Sequence, residues 1–240
     1  MLFRSLAGPL PGKCDASVAQ IESSKEISHE AWEKLLKKYV DPEGLVDYKN
    51  FGKEAVQLDS YLNYLGSHVP GQDAAREVKL AYYINLYNAA TVKLILDNYP
   101  IKSIRDIEDP WDAKWIPQGS GKISLGDIEH NILRKMEEPR IHFAINCASY
   151  SCPKLSDEAY TSTGIYRQLE EATKDFIRDP ARNNITDNTL ELSQIFNWYK
   201  GDFSVGGNLV DFISPYIETT INPGAKISFK KYDWSLNETR

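Results

Sequence analysis

The segment Arg140 to Pro153, RIHFAINCASYSCP, holds one of the chain's four histidines and two of its three cysteines. Its first half alternates. Ile141, Phe143 and Ile145 fall on one side, and His142, Ala144 and Asn146 on the other, which predicts a β-strand. Its second half is small and polar and reads as a loop. A strand that runs into such a loop carries reactive groups to its tip, so the fold is expected to be built around this segment.

Working outward, the residues just before it predict a helix from Leu125 to Met136, with Ser124 and Asp127 as a capping-box-like start. At 100° per residue, Leu125, Ile132, Leu133 and Met136 share one face. Glu129 falls inside that face and His130 at its flank. A carboxylate among leucines needs a partner. An imidazole is one candidate; an arginine or backbone amides are the structural alternative. If the strand continues regularly, Cys147 lies on the isoleucine face, away from His142, and His130 is its better partner. If the chain turns after Asn146, His142 reaches Cys147 or Cys152 instead.

A cysteine is a useful nucleophile as thiolate, beside a cation or a helix N-terminus. Cys147, His130 or His142, and Glu129 together offer nucleophile, base and orienting carboxylate. Three other readings stand beside this one. Cys147 and Cys152 could form a disulfide. His142, Cys147 and Cys152 could bind zinc, although no fourth ligand is visible. Cys147 could be a small buried apolar residue. No cofactor or metal is expected.

Farther out, residues 29–39 predict a helix with Trp32, Leu35, Leu36 and Tyr39 on one face. Residues 41–44 form a turn, 45–51 an extended piece and 52–66 a second helix. Ala74 to Asn98 is the strongest helix, apolar around most of its circumference and therefore central. On it, Asn85 and Asn88 are three apart on one face. They either bond neighbouring backbone or orient a catalytic side chain or ligand. Trp111 to Pro117 reads as extended, turning at Gly119–Gly121 and pairing with 122–125. Beyond the central segment come a helix over 164–178, a hairpin around Asp187-Asn188, short helices over 194–203 and 208–217, and a last strand over 225–234. Residues 1–27 read as a loose leader. Residues 28–240 read as one compact α+β domain, several helices around a small antiparallel sheet.

The totals exclude several classes. Net charge is −6 over 240 residues, without a basic block, which argues against nucleic acid. No apolar run reaches the ~18 residues of a membrane span. Pro9, Pro11 and Gly12 break any secretory signal core, and Lys13 before Cys14 argues against lipoprotein cleavage. Fourteen tyrosines and five tryptophans are enough to line a pocket as well as fill a core.

Five stretches resemble the domain-of-unknown-function family DUF547, in that family's order: AYYINLYNAATVKLIL (81–96), KISLGDIEHNILR (122–134), EPRIHFAINCASYSCP (138–153), ELSQIFNWYKGDF (191–203) and YDWSLN (232–237). The resemblance runs from about residue 30 to the end. It implies a cysteine-protease-like Glu-His-Cys arrangement, here Glu129, His130 or His142, and Cys147. Plant members keep the cysteine matching Cys147 and often lack those matching Cys152 and His142, which points to Cys147 with His130. Bacterial members are often exported, and the leader here lacks their signal. The expected function is a cysteine hydrolase or acyl transferase on a small thiol or peptide-like ligand. In it Cys147 attacks, His130 takes the proton and Glu129 orients it, with His142 and Asn88 as substrate contacts. The alternative is a binding module for the same ligand without turnover.

Overall fold

The computed structural model describes residues 27–239; the leader, apart from Ile27, lies outside them. Helix α1 (Glu30–Tyr39) buries Trp32, Leu35, Leu36 and Tyr39, the stripe its spacing predicts. Helix α2 (Tyr48–Phe51) is capped by Asp47, whose side chain accepts the Asn50 N–H. Residues 45–51 are thus mostly helical rather than extended. Only Val46 keeps strand character, bridging Val40 and Glu238. Helix α3 (Ala55–Ser67) leads to α4 (Arg76–Asn98). Every residue from Leu80 to Val92 is buried, so α4 is the central helix that its all-round apolar character predicts.

Strands β1 (Ile116–Gln118) and β2 (Gly121–Ile123) form the expected hairpin. The next segment opens helically at Leu125, passes through a π-helix (Asp127–Leu133) and tightens to a 3-10 turn (Arg134–Met136). Helix α5 (Ile165–Arg178) follows. Strands β3 (Asn184–Ile185) and β4 (Thr189–Leu192) pair antiparallel around the predicted turn. The short helices α6 (Gln194–Trp198) and α7 (Leu209–Ile213) come next. Strand β5 (Lys226–Phe229) joins β4 parallel, with Leu190 opposite Ile227. The class is the expected α+β, a compact set of helices with two small sheets, the three-stranded one mixed rather than antiparallel.

The central segment is where the expectation fails. Residues 139–143 form a 3-10 turn, not a strand. Glu138 caps it by accepting the Arg140 N–H, and Pro139 starts it. The alternation had a different cause: Ile141, His142, Phe143 and Ala144 are all buried, so no solvent face exists to be alternated against. The backbone needs no neighbouring strand, because Asn88 supplies partners. Its Nδ2 donates to the Ala144 carbonyl at 2.9 Å and its Oδ1 accepts the Asn146 N–H at 2.8 Å.

Two hydrophobic clusters make the core. One gathers α1 to α4 with Ile141, Ile145 and, from the first half of α5, Ile165 and Leu169. The other is built on Phe143, Phe176, Phe196 and Phe203 beneath the mixed sheet. Trp234 packs against both. No helix among the described residues is long and apolar enough to cross a membrane.

Candidate functional site

A cavity of about 260 Å³ opens over the central segment. Cys147, Cys152 and His142 come to it from that segment. Glu129 and His130 come from the π-helix, Tyr87 from α4, Trp198 and Tyr199 from the end of α6, and Tyr232 and Trp234 from the C-terminal stretch.

The π-helix explains how Glu129 is presented. The Arg134 N–H reaches back five residues to the Glu129 carbonyl, a widened turn that recurs at functional sites. It leaves Glu129 buried and His130 half exposed. The Glu129 carboxylate accepts hydrogen bonds from the Tyr199 hydroxyl and, at 3.2 Å, from the Tyr87 hydroxyl. The His130 Nδ1 lies 3.9 Å from it and 3.3 Å from Arg134 Nη1. An Nδ1 facing a guanidinium N–H is an acceptor, so His130 carries its proton on Nε2 in this arrangement.

His142 is differently held. Its Nε2 is 2.8 Å from Asp202 Oδ2, and its ring stacks on Tyr199 with centroids 3.9 Å apart. Asp202 is gripped by Arg134 through Nε at 2.7 Å and Nη2 at 2.9 Å, a bidentate fork. That guanidinium holds the Asp202 carboxyl down at about 2, with His142 adding to the effect. Burial pushes the His142 imidazole below its usual value, against the pull of Asp202. The result is a neutral ring whose Nε2 proton is committed to Asp202. No hydrogen bond reaches its Nδ1 among the described residues, so that lone pair is available.

Cys147 makes hydrogen bonds to neither imidazole. Its Sγ lies 2.9 Å from the Cys152 thiol, 3.1 Å from Ser149 Oγ and 3.4 Å from the Tyr232 hydroxyl. The Cys152 S–H, then Ser149 and Tyr232, draw the Cys147 thiol down to about 7 against the opposing effect of burial. Cys152 moves the other way, raised by burial and by donating to Cys147. Its own Sγ accepts the Cys147 N–H at 2.9 Å. Both cysteines are free thiols. The loop between them is pinned by Asn146, whose Oδ1 accepts the Ala148 N–H and whose Nδ2 donates to the Pro153 carbonyl. Ala148 takes φ +58°, a left-handed turn that non-glycine residues adopt at some cost.

The structure thus gathers Cys147, Glu129, His130 and His142 around one cavity. The expected Cys147–His130 hydrogen bond is absent; the sulfur's partners are Cys152, Ser149 and Tyr232. Asn88 does not line the cavity; both ends of its side chain are spent on the backbone either side of Ile145, so it positions the loop instead. Asn85 does the same for Tyr160, bonding its carbonyl at 2.7 Å and its N–H at 3.0 Å. Sequence reasoning missed Asp202, Ser149 and Tyr232 as parts of the site. The available signal was their position inside or beside the motif-like stretches 138–153, 191–203 and 232–237.

The model of the family described as a protein of unknown function, DUF547, matches residues 72–177. That span includes Glu129, His130, His142, Cys147 and Cys152 and ends before Asp202 and Tyr232. No curated protein and no solved structure matches the chain.

Proposed function

We propose that this chain, whose residues 72–177 match the DUF547 family model, is a cysteine-dependent hydrolase or acyl transferase. Its substrate would be a small thiol ester. One observation carries the reading: the Cys147 sulfur accepts the Cys152 S–H and sits within hydrogen-bond reach of the mutually bonded Ser149 and Tyr232 hydroxyls, in a cavity that also holds a carboxylate-bound imidazole. Such donors stabilise the thiolate without an adjacent cation, so the nucleophile is present at neutral pH before substrate arrives.

In this mechanism the Cys147 thiolate adds to the carbonyl carbon, and the C=O electron pair moves onto oxygen. The Tyr232 hydroxyl, which lines the cavity 3.4 Å from the sulfur, would donate to that oxyanion. Collapse re-forms C=O and expels the leaving thiolate. A water, or an acceptor nucleophile in transfer, then attacks the acyl-sulfur carbon while His142 Nδ1 takes its proton. The C–S bond breaks and returns the Cys147 thiolate, and the proton on His142 passes to the departed thiolate. Asp202 holds the ring in the tautomer that leaves Nδ1 free. Assigning the base to His130 with Glu129 behind it is the competing arrangement, favoured by the family pattern.

Iodoacetamide alkylation of Cys147 followed against pH tests the nucleophile. The expected inflection is about 7, and Cys152→Ala moves it up toward ~8.5. A wild-type inflection at the ordinary thiol value sinks the enzyme reading. Acylation by a p-nitrophenyl ester, read by mass spectrometry, tests the base. His142→Ala is expected to trap the acyl-Cys147 adduct and His130→Ala to release it; the reverse assigns the base to His130. A second reading, a pocket that binds a thiol or peptide without turnover, draws on the missing imidazole–sulfur hydrogen bond. It expects no acyl adduct in any variant.

A further inference from the structure

The cavity's wall is more specific than a generic apolar pocket. Trp198 and Tyr232 have ring centroids 4.8 Å apart, Tyr232 and Trp234 4.6 Å, and Trp198 and Trp234 5.7 Å. Three rings therefore enclose one side, and Trp198 stays 46 % exposed at the rim. Inside the same space lies the Glu129 carboxylate, its side chain only 7 % exposed. Its two tyrosine donors are neutral. Of the cations near it, Arg134 is committed to Asp202 through both arms of its fork, and His130 offers an acceptor nitrogen at 3.9 Å. A buried carboxylate is costly unless a positive charge meets it. Among the described residues no lysine or arginine lines the cavity. The Cys147 thiol, drawn down to about 7, adds partial negative charge to the floor, and His142 is kept neutral.

We propose that this cavity binds the alkylammonium group of its ligand, with the cation held between the Trp198, Tyr232 and Trp234 rings and the Glu129 carboxylate. Aromatic faces attract a cation through their quadrupoles, most strongly when it is desolvated, and indole is the best of them. The carboxylate supplies the net charge that rings lack. Two of the wall's rings already show this affinity: the Arg134 guanidinium lies 5.3 Å over Tyr199 and that of Arg105 5.3 Å over Trp234. The cavity's volume suits a small headgroup rather than a drug-sized molecule, whose pockets start at about 300 Å³. This deepens the acyl-transfer reading by making the substrate an amine-bearing acyl compound, such as an aminoacyl thioester. An anionic acyl donor is disfavoured by the same charges. The binding step itself needs no turnover.

The test is a ligand-observed NMR titration of the full chain with choline, n-butylammonium and neohexyl alcohol, the uncharged carbon isostere of choline. The two cations are expected to saturate and to bind at least about tenfold tighter than the alcohol. Glu129→Gln should remove that preference. Trp198→Ala, a substitution at the half-exposed rim, should weaken both cations, with an unchanged circular-dichroism spectrum showing that the chain stays folded. Equal binding of the alcohol, an undiminished cation preference in both variants, or no saturable cation binding overturns the proposal. Cys147→Ser separates this from the enzyme reading: cation binding persists there even if Cys147 proves unreactive.

Discussion

At the residue scale, His142 and Asp202 set how the protein responds to acid. Both bind fewer protons folded than unfolded: burial lowers the His142 imidazole from 6.5, and Arg134 lowers Asp202 from 3.8 to about 2. Their contributions to stability are therefore complete above the unfolded values and lost as pH falls. His142 loses its share below pH 6.5, and Asp202 between 3.8 and about 2. The Asp202 depression corresponds to about 2 kcal/mol, with Arg134 as its main source. His29, pushed down to about 4 by burial, adds to the same slope, so the informative quantity is a difference. Thermal midpoints from pH 7.5 to 5 are expected to fall in the wild type and to fall less in His142→Gln. Parallel profiles would mean that His142 is not held neutral in the fold.

At the scale of elements, two irregular pieces do what regular ones could not. The π-helix turns Glu129 inward while its neighbour His130 stays near solvent. The 3-10 turn over 139–143 places His142 beside Asp202 and sends the chain directly into the Cys147 loop. The chain leaving the 3-10 turn is held by α4 through Asn88, and Asn85 clamps Tyr160 in the same way. Asn88→Ala leaves a buried carbonyl and a buried N–H without partners, and is expected to cost about 2–4 kcal/mol in urea unfolding. It should also slow Cys147 alkylation at pH 7, because the loop loses its anchor one residue before the sulfur. Asn85→Ala should cost a similar amount and leave the alkylation profile alone, since it clamps Tyr160. Equal effects on the thiol from both variants would argue for general destabilisation and against positioning by Asn88.

At the scale of the whole molecule, the cavity forms where the two hydrophobic clusters meet, with Ile145 from one, Ile195 from the other and Trp234 touching both. Phe143 anchors the second cluster against Phe176, Phe196 and Phe203, with centroids 5.0, 5.7 and 5.5 Å away. It is also the chain neighbour of His142. Phe143→Ala is expected to cost ~3–5 kcal/mol through the cavity it leaves, read from the urea midpoint at unchanged slope; a loss under about 1 kcal/mol would mean that the cluster collapses around the gap. Helices α1, α4 and α5 and the hairpin at Asp187-Asn188 were legible in the amino-acid sequence because their signals are local: a 3.6-residue stripe, an all-round apolar helix, a two-residue turn. The concentration of Cys147, Cys152 and His142 in one segment was legible for the same reason. The conformation of that segment was not, since burial of both faces makes a 3-10 turn look like an alternating strand. Nor were the partners of its reactive groups. Asp202 lies 60 residues from His142 and Tyr232 85 residues from Cys147, and spacing carries no information over such separations. The sequence by itself pointed to Cys147, Cys152, His142, His130 and Glu129 and to the helices that frame them. Only the tertiary structure decided which hydrogen bonds each group makes, because packing of the two clusters brings the three distant stretches to one cavity.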